Sequence, residues 1–184
     1  MVNDDLQKKL RLVPSAPEYA ELWWRWRHES NTKAYNPLAV ASVEQLRKRL
    51  GDSSSDLNKW QTEKELMQFI EWQGQVIGTL SLKNVSVSMG YGEIGYGIAQ
   101  NFQGLGLGKA AVTAFVDDIF QKTLLRRLIA LVAESNLASC RLLTTLGFQR
   151  EGLLREHFLI NSKPTNQICF GLLKSEWDAQ ANRS

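Results

Sequence analysis

Gln103-Gly104-Leu105-Gly106-Leu107-Gly108-Lys109 stands between a strand-like stretch, Glu93 to Ala99, and a helical one with apolar positions Val112, Phe115, Val116, Ile119 and Phe120. Glycines at such a junction let the backbone turn sharply and approach a ligand closely. The first N–H groups of the following helix have no intrahelical partner and lie at the positive end of its dipole. A phosphate or pyrophosphate suits that place; a glycine turn that only reverses the chain is the alternative. Two phosphate motifs fit badly. A P-loop needs Gly five residues before its Gly-Lys and Ser or Thr after it, where this chain has Gln103 and Ala110. The dinucleotide fingerprint is met only loosely, as Gly106-x-Gly108-x-x-Ala111, and its acid about 20 residues further on is missing, Glu134 coming later.

Working outward, Leu128 to Val132 is a continuous apolar run, as expected of a buried strand. Asn136 to Leu146 predicts a shorter helix closed by Gly147. Residues 153–160 and 166–173 predict a hairpin about Asn161-Ser162-Lys163-Pro164. Upstream, stretches 64–72 and 75–83 are joined at Gln73-Gly74-Gln75, a connection short enough to require antiparallel strands. Leu10 to Val13 reads as a strand ended by Pro14, and Pro17 suits the first turn of a helix over 18–29. In that helix Trp23-Trp24-Arg25-Trp26 faces either the core or a substrate. Ser42 with Gln45 has the spacing of a capping box, and the helix it opens is expected to stop at Gly51. The order β-α-α-β-β-β-α-β-α-β-β combines early antiparallel strands with a later βαβ crossover, an α/β chain with a mixed sheet.

At 184 residues the chain has the length of a single domain, 1–184. A hydrophobic share of 43% and a charged share of 22% are those of an ordinary globular protein. No apolar run reaches the roughly 18 residues of a membrane span, and Met1-Val2-Asn3-Asp4-Asp5 lacks the basic start of a signal peptide, so a cytoplasmic protein is expected. Two cysteines, Cys140 and Cys169, do not make a disulfide scaffold. Two distant histidines, His28 and His157, without neighbouring cysteines argue against a metal site. A net charge of +3 is too small to argue for nucleic acid, and Arg47-Lys48-Arg49 reads as a solvated helix face.

An ordered set of motifs then stands out. Gln103 to Gly108 matches (Gln or Arg)-x-x-Gly-x-(Gly or Ala). Before it stands Glu93-Ile94-Gly95-Tyr96-Gly97-Ile98; after it come Asn136-Leu137-Ala138-Ser139, Leu146-Gly147-Phe148 with Glu151-Gly152, Leu153-Leu154-Arg155-Glu156 and Leu172-Leu173-Lys174-Ser175-Glu176-Trp177. Over about residues 8–178 the set resembles the GNAT N-acetyltransferase superfamily, in the branch of RimJ- and RimL-type ribosomal-protein N-terminal acetyltransferases. The resemblance implies the GNAT fold, a splayed, mostly antiparallel central sheet flanked by helices with acetyl-CoA in the gap. It implies that Gln103, Gly104, Leu105, Gly106, Leu107, Gly108 and Lys109 hold the CoA pyrophosphate. It further implies that backbone at Ile98 and Ala99 pairs with the pantetheine arm, and that Asn136 and Ser139 lie near the thioester. An amine acceptor is implied, but not which one, and a homodimer is compatible with it. The chain departs from the family at Lys109-Ala110-Ala111, where Thr-Glu-Ala is frequent, and at Phe158, where some members carry an acidic base.

Direct transfer needs a neutral amine, a thioester held beside it and a stabilised leaving thiolate. Glu93 is the first candidate base, with Glu156 and His157 behind it; an exposed and chemically idle Glu93 is the alternative. Ser139 either donates to the departing sulfur or serves as a helix-start hydroxyl bonded to backbone. Cys140, in the first turn of its helix, would allow a covalent acetyl-enzyme, but lacks an identifiable activating base, so packing is the favoured reading. The competing functions are a catalytically silent acetyl-CoA sensor and a Rossmann-type dinucleotide binder.

Overall fold

The computed structural model describes residues 9–35, 42–58 and 65–181. Along the chain come β1 (Leu10–Pro14), a 3-10 turn (Pro17–Tyr19), α1 (Ala20–Arg27), α2 (Ser30–Tyr35), α3 (Val43–Asp52), β2 (Leu66–Trp72), β3 (Gln75–Ser86) and β4 (Tyr91–Ile98). A second 3-10 turn (Gln100–Phe102) leads to α4 (Leu107–Lys122), β5 (Arg127–Ala133), α5 (Leu137–Thr145), β6 (Gln149–Ile160), β7 (Lys163–Leu173) and α6 (Lys174–Ala181). The strands form a seven-stranded sheet in the order β1-β2-β3-β4-β5-β7-β6. All neighbours are antiparallel except β4 and β5, which are parallel because α4 carries the chain across between them. The mixed sheet expected from the sequence is therefore observed.

Two-residue turns set the register of the β2–β3 and β6–β7 hairpins. Gln73 and Gly74 adopt φ of 53° and 78°, and Asn161 and Ser162 adopt 50° and 62°. Left-handed pairs of this kind match the twist of the flanking strands. Strand β2 is apolar on both faces because both are covered. Leu66 and Ile70 join the main core with Leu80, Leu82, Ile94, Val112, Phe115 and Leu128. Met67 and Phe69 point the other way, to Ala20, Trp23, Leu46 and Leu50 of α1 and α3. Of the tryptophan run, Trp23 is buried in that second cluster and Trp24 and Trp26 pack against it, so α1 is a core helix. The capping box at Ser42 and Gln45 is present. In the basic run, Arg47 pairs with Glu44, while Arg49 pairs with Glu65 and covers the Trp23 ring.

The structure corrects the sequence reading in three places. Helix α3 continues through Gly51 to Asp52. Helix α2 was not foreseen; its polar sequence, Ser-Asn-Thr-Lys-Ala-Tyr, has no apolar period to announce it. The Leu172–Trp177 motif runs from β7 into a further helix, α6, tied to α4 by the Trp177 indole N–H donating to Asp117 at 2.6 Å.

Candidate active site

Pairing between β4 and β5 lasts only from Tyr91/Arg127 to Glu93/Ile129, after which the strands diverge. Beyond that point the β5-facing edge of β4 is open. In the ladder with β3, Ala99 donates its N–H to the Ile77 carbonyl at 2.8 Å, which sets the alternation along the strand. The backbone groups of Tyr96 and Ile98 therefore face the gap, whereas those of Glu93, Gly95, Gly97 and Ala99 face β3. Ala99 is committed twice, since its carbonyl also accepts from Phe102 N–H at 2.9 Å. Ile98, unlike Ala99, turns its N–H to the open edge, while its carbonyl there accepts from the Gln103 side chain at 2.9 Å.

A cleft of about 490 Å³ opens onto this gap. Ile98, Gln103, Gly104, Gly106, Gly108, Lys109, Asn136 and Ser139 line it. Leu107 belongs to the core instead, and the Leu105 side chain is exposed. At the floor of the cleft Gly106 caps α4 with φ 79°, and the first ladder bond at this end runs from Ala110 N–H to the Gly106 carbonyl at 3.2 Å. The N–H groups of Leu107, Gly108 and Lys109 precede that bond, so the dipole end of a sixteen-residue helix points into the cleft. Gly108 is tight for a different reason: a Cβ there would lie 3.3 Å from Leu142 and 3.5 Å from Ile98. Gln103 braces the loop. Its side-chain amide donates to the Ile98 carbonyl at 2.9 Å and accepts from Asn31 Nδ2 at 3.1 Å. A parallel contact joins the Gln100 N–H to the Glu29 carboxylate at 2.9 Å, so the start of α2 is fastened to the loop.

A second cleft, of about 440 Å³, lies alongside. Glu93 and its cross-strand partner Lys83 line it, with Asn84, His157, Phe158 and Gln167. Tyr35, Tyr96, Asn136 and Ser139 line both clefts. Glu93 is not the exposed residue of the alternative reading; it is 8% exposed, 3.1 Å from Lys83 Nζ and 2.8 Å from Asn84 Nδ2. Side-chain alternation puts Ile94, Tyr96 and Ile98 on the α4 side of the sheet and Glu93 on the other, so the clefts approach the gap from opposite faces.

They meet at a hydroxyl pair. Asn136 caps α5 by accepting the Ser139 N–H at 3.1 Å, which fixes the first turn of the helix. Ser139 Oγ then stands 2.5 Å from Tyr96 Oη, with either able to donate. Burial pushes the Tyr96 hydroxyl up to about 12, against the opposing effect of the Ser139 hydrogen bond. It therefore carries its proton at neutral pH. Tyr96 lies within the Glu93–Ile98 motif, but nothing near it in the sequence marks a role for its hydroxyl. Its partner is 43 positions away and is delivered by the crossover. Cys140, next along α5, is packed against the core and its thiol is pushed up by burial. The two histidines are engaged elsewhere, His28 with the Trp24 carbonyl and His157 with Gln167, which supports packing for Cys140.

Residues 9–149 match the family model described as an acetyltransferase (GNAT) domain. The chain belongs to the GNAT acetyltransferase family. It is an N-acetyltransferase, with acetyl-CoA as the acetyl donor. It is similar to an N-acetyltransferase named p20 of Bacillus licheniformis, 31% identical over 155 residues, 83% of this chain and 85% of that one. It is also similar to the ribosomal protein uS5-alanine N-acetyltransferase of Escherichia coli, 30% identical over 106 residues, 56% of this chain and 54% of that one. Among solved structures it shares the fold of the microcin C7 self-immunity acetyltransferase MccE in complex with acetyl-CoA and AMP. That likeness has a TM-score of 0.77 and 22% identity, covering 94% of each chain. For this GNAT chain no described helix is long and apolar enough to cross a membrane, and the described residues hold no cluster of metal-ligating side chains. Both cysteines are free.

Proposed function

We propose that the two clefts form one acetyl-transfer site within a single GNAT domain, with the donor on the α4 side and a primary amine entering past Glu93. The observation that carries this is the Ser139–Tyr96 pair, which lies where the clefts meet beneath the splay of β4 and β5. The N–H groups of Gly104 to Lys109 hold the pyrophosphate through backbone donors and the α4 dipole, with Gln103 bracing the loop. The open backbone edge at Tyr96 and Ile98 aligns the pantetheine arm. Asn136 positions Ser139, and Ser139 with Tyr96 donates a hydrogen bond, and then a proton, to the departing sulfur. Glu93, held by Lys83 and Asn84, gives the acceptor cleft a carboxylate that draws in a cationic amine.

The acceptor is an easily deprotonated amine, a peptide α-amino group before a lysine. An α-amino group near pKa 7.7–8.0 is roughly one-third neutral at pH 7.5, whereas lysine near 10.4 is neutral in about one molecule in a thousand. The similarity to a relative named for acting on an alanine of ribosomal protein uS5 supports the same choice. The free cysteines suit the reducing cytoplasm. A homodimer would cover exposed leucines of β6, Leu153, Leu154 and Leu159, at the end of the strand order.

Free-thiol release tests the reading. The protein is given acetyl-CoA with an N-terminally free peptide lacking lysine, or with an N-blocked peptide containing lysine. The free α-amine should be acetylated and the blocked peptide spared. Preference for the blocked peptide refutes the acceptor class. Donor binding without thiol release from any amine offered makes the chain a sensor.

A further inference from the structure

The β6–β7 ladder breaks between Leu154 and Phe158. Leu154 faces Gln167 and Phe158 faces Thr165, so Arg155, Glu156 and His157 lie opposite Asn166 alone. The bulge is fixed from both strands. Glu156 takes the left-handed conformation, φ 48°, and donates its N–H to Asn166 Oδ1 at 2.9 Å. Asn166 in turn donates to Glu134 at 2.9 Å, at the end of β5. Bulges re-aim side chains, and this one sets His157 into the acceptor cleft with Nδ1 2.5 Å from Gln167 Oε1. An amide oxygen only accepts, so Nδ1 carries the hydrogen and the neutral ring is left with its lone pair on Nε2. Gln167 is itself anchored where β7 pairs with Ala133 beside the gap. By contrast, the oxygens of Glu93 are already engaged, one by Lys83 and the other by Asn84.

We infer that His157, oriented by Gln167, is the base that accepts the acceptor's proton during acetyl transfer. This rests on the reading of the two clefts as one transfer site. The amine nitrogen bonds to the thioester carbonyl carbon and the carbon–sulfur bond breaks. The nitrogen's proton passes to His157 Nε2, and the sulfur takes a proton from the Ser139–Tyr96 pair. His157 then loses a proton to solvent and the pair regains one, so the net change is amine plus acetyl-CoA to amide plus free CoA. The charged and titratable groups around the ring are Arg155 and Glu156 on its own strand and Glu134 through Asn166. Across the cleft stand Glu93 with Lys83, Tyr96 and Tyr35.

The test is the pH dependence of kcat at saturating acetyl-CoA and α-amino peptide, for wild type, H157Q, Q167E and E93Q. Acetyl-CoA-induced thermal stabilisation on each variant verifies folding and donor binding. Wild type should lose rate on the acid side. H157Q should lower kcat by about 100- to 10,000-fold, the usual worth of a general base, and flatten the acid limb to what protonation of the α-amine alone leaves. Q167E should move the limb to higher pH, because a carboxylate favours the imidazolium; a merely structural Gln167 would not shift it. An H157Q protein within fivefold of wild type with its acid limb intact overturns the inference, as does loss of the limb in E93Q alone. Those results leave the transfer site standing. Absence of thiol release from wild type with every amine overturns both.

Discussion

Replacing Gly106 by leucine separates donor binding from folding. Gly106 has φ 79° and lines the donor cleft, yet a Cβ built there meets nothing within 4 Å. The cost to the fold is therefore backbone strain alone, about 1–2 kcal/mol for an L-residue held left-handed. For a chain of this size that lowers Tm by about 2–8 °C, at roughly 2–4 °C per kcal/mol. The cost to the donor is larger, since the new side chain stands where the pyrophosphate must approach the α4 N–H groups. Acetyl-CoA at 100 times its Kd should stabilise wild type by about 2.7 kcal/mol, or about 5–11 °C. That shift should vanish in G106L. The matched control is Gly74→Leu, since Gly74 has φ 78° and equally open surroundings but sits in the β2–β3 turn. G74L should show a similar loss of Tm and the full acetyl-CoA shift, both read by thermal denaturation with and without ligand. A G106L protein that keeps the wild-type shift refutes the assignment of this loop.

Asn136→Ala removes the acceptor of the Ser139 N–H, so it should cost about 1 kcal/mol of stability and also lower kcat, by loosening Ser139; unchanged kcat would detach the cap from catalysis. Gly78→Ala would place a Cβ 2.3 Å from the Gly97 carbonyl oxygen in the neighbouring strand, so a loss of about 3 kcal/mol is expected by denaturant unfolding; a loss below about 0.5 kcal/mol would contradict that close approach. Because burial holds the Tyr96 hydroxyl up to about 12, its protonated form persists through the alkaline range. Turnover should accordingly show no alkaline fall below about pH 10, near the ordinary tyrosine pKa, and a fall near pH 8 would speak against Tyr96 as acid.

Much of the proposed donor side is legible because its signals are local. The glycines, the helix behind them and the Asn-x-x-Ser cap each lie within a few residues of their partners, as do the turns at Gln73-Gly74 and Asn161-Ser162. The acceptor side is less so. Tyr96 and Ser139 become neighbours only through the crossover, and His157 reaches the cleft because a bulge shifts the β6 register. Glu93 reads nearly as well as a solvated residue until the cross-strand contact with Lys83 is in view. Helix α2 has no periodic apolar stripe; its contacts with Gln100 and Gln103 hold it, and those involve residues some 70 positions on.

Acetyl transfer at the Ser139–Tyr96 junction is tested most directly by measuring kcat and acetyl-CoA Kd on the same preparations of wild type, S139A and Y96F. A contact made mainly as charge develops on sulfur should appear in kcat and hardly in Kd. Both variants should bind acetyl-CoA within about twofold of wild type and turn over at least about tenfold more slowly, since a hydrogen bond to a charged group is worth about 1.5–3 kcal/mol. Turnover within twofold of wild type in both would contradict the claim and leave Ser139 a helix-start hydroxyl.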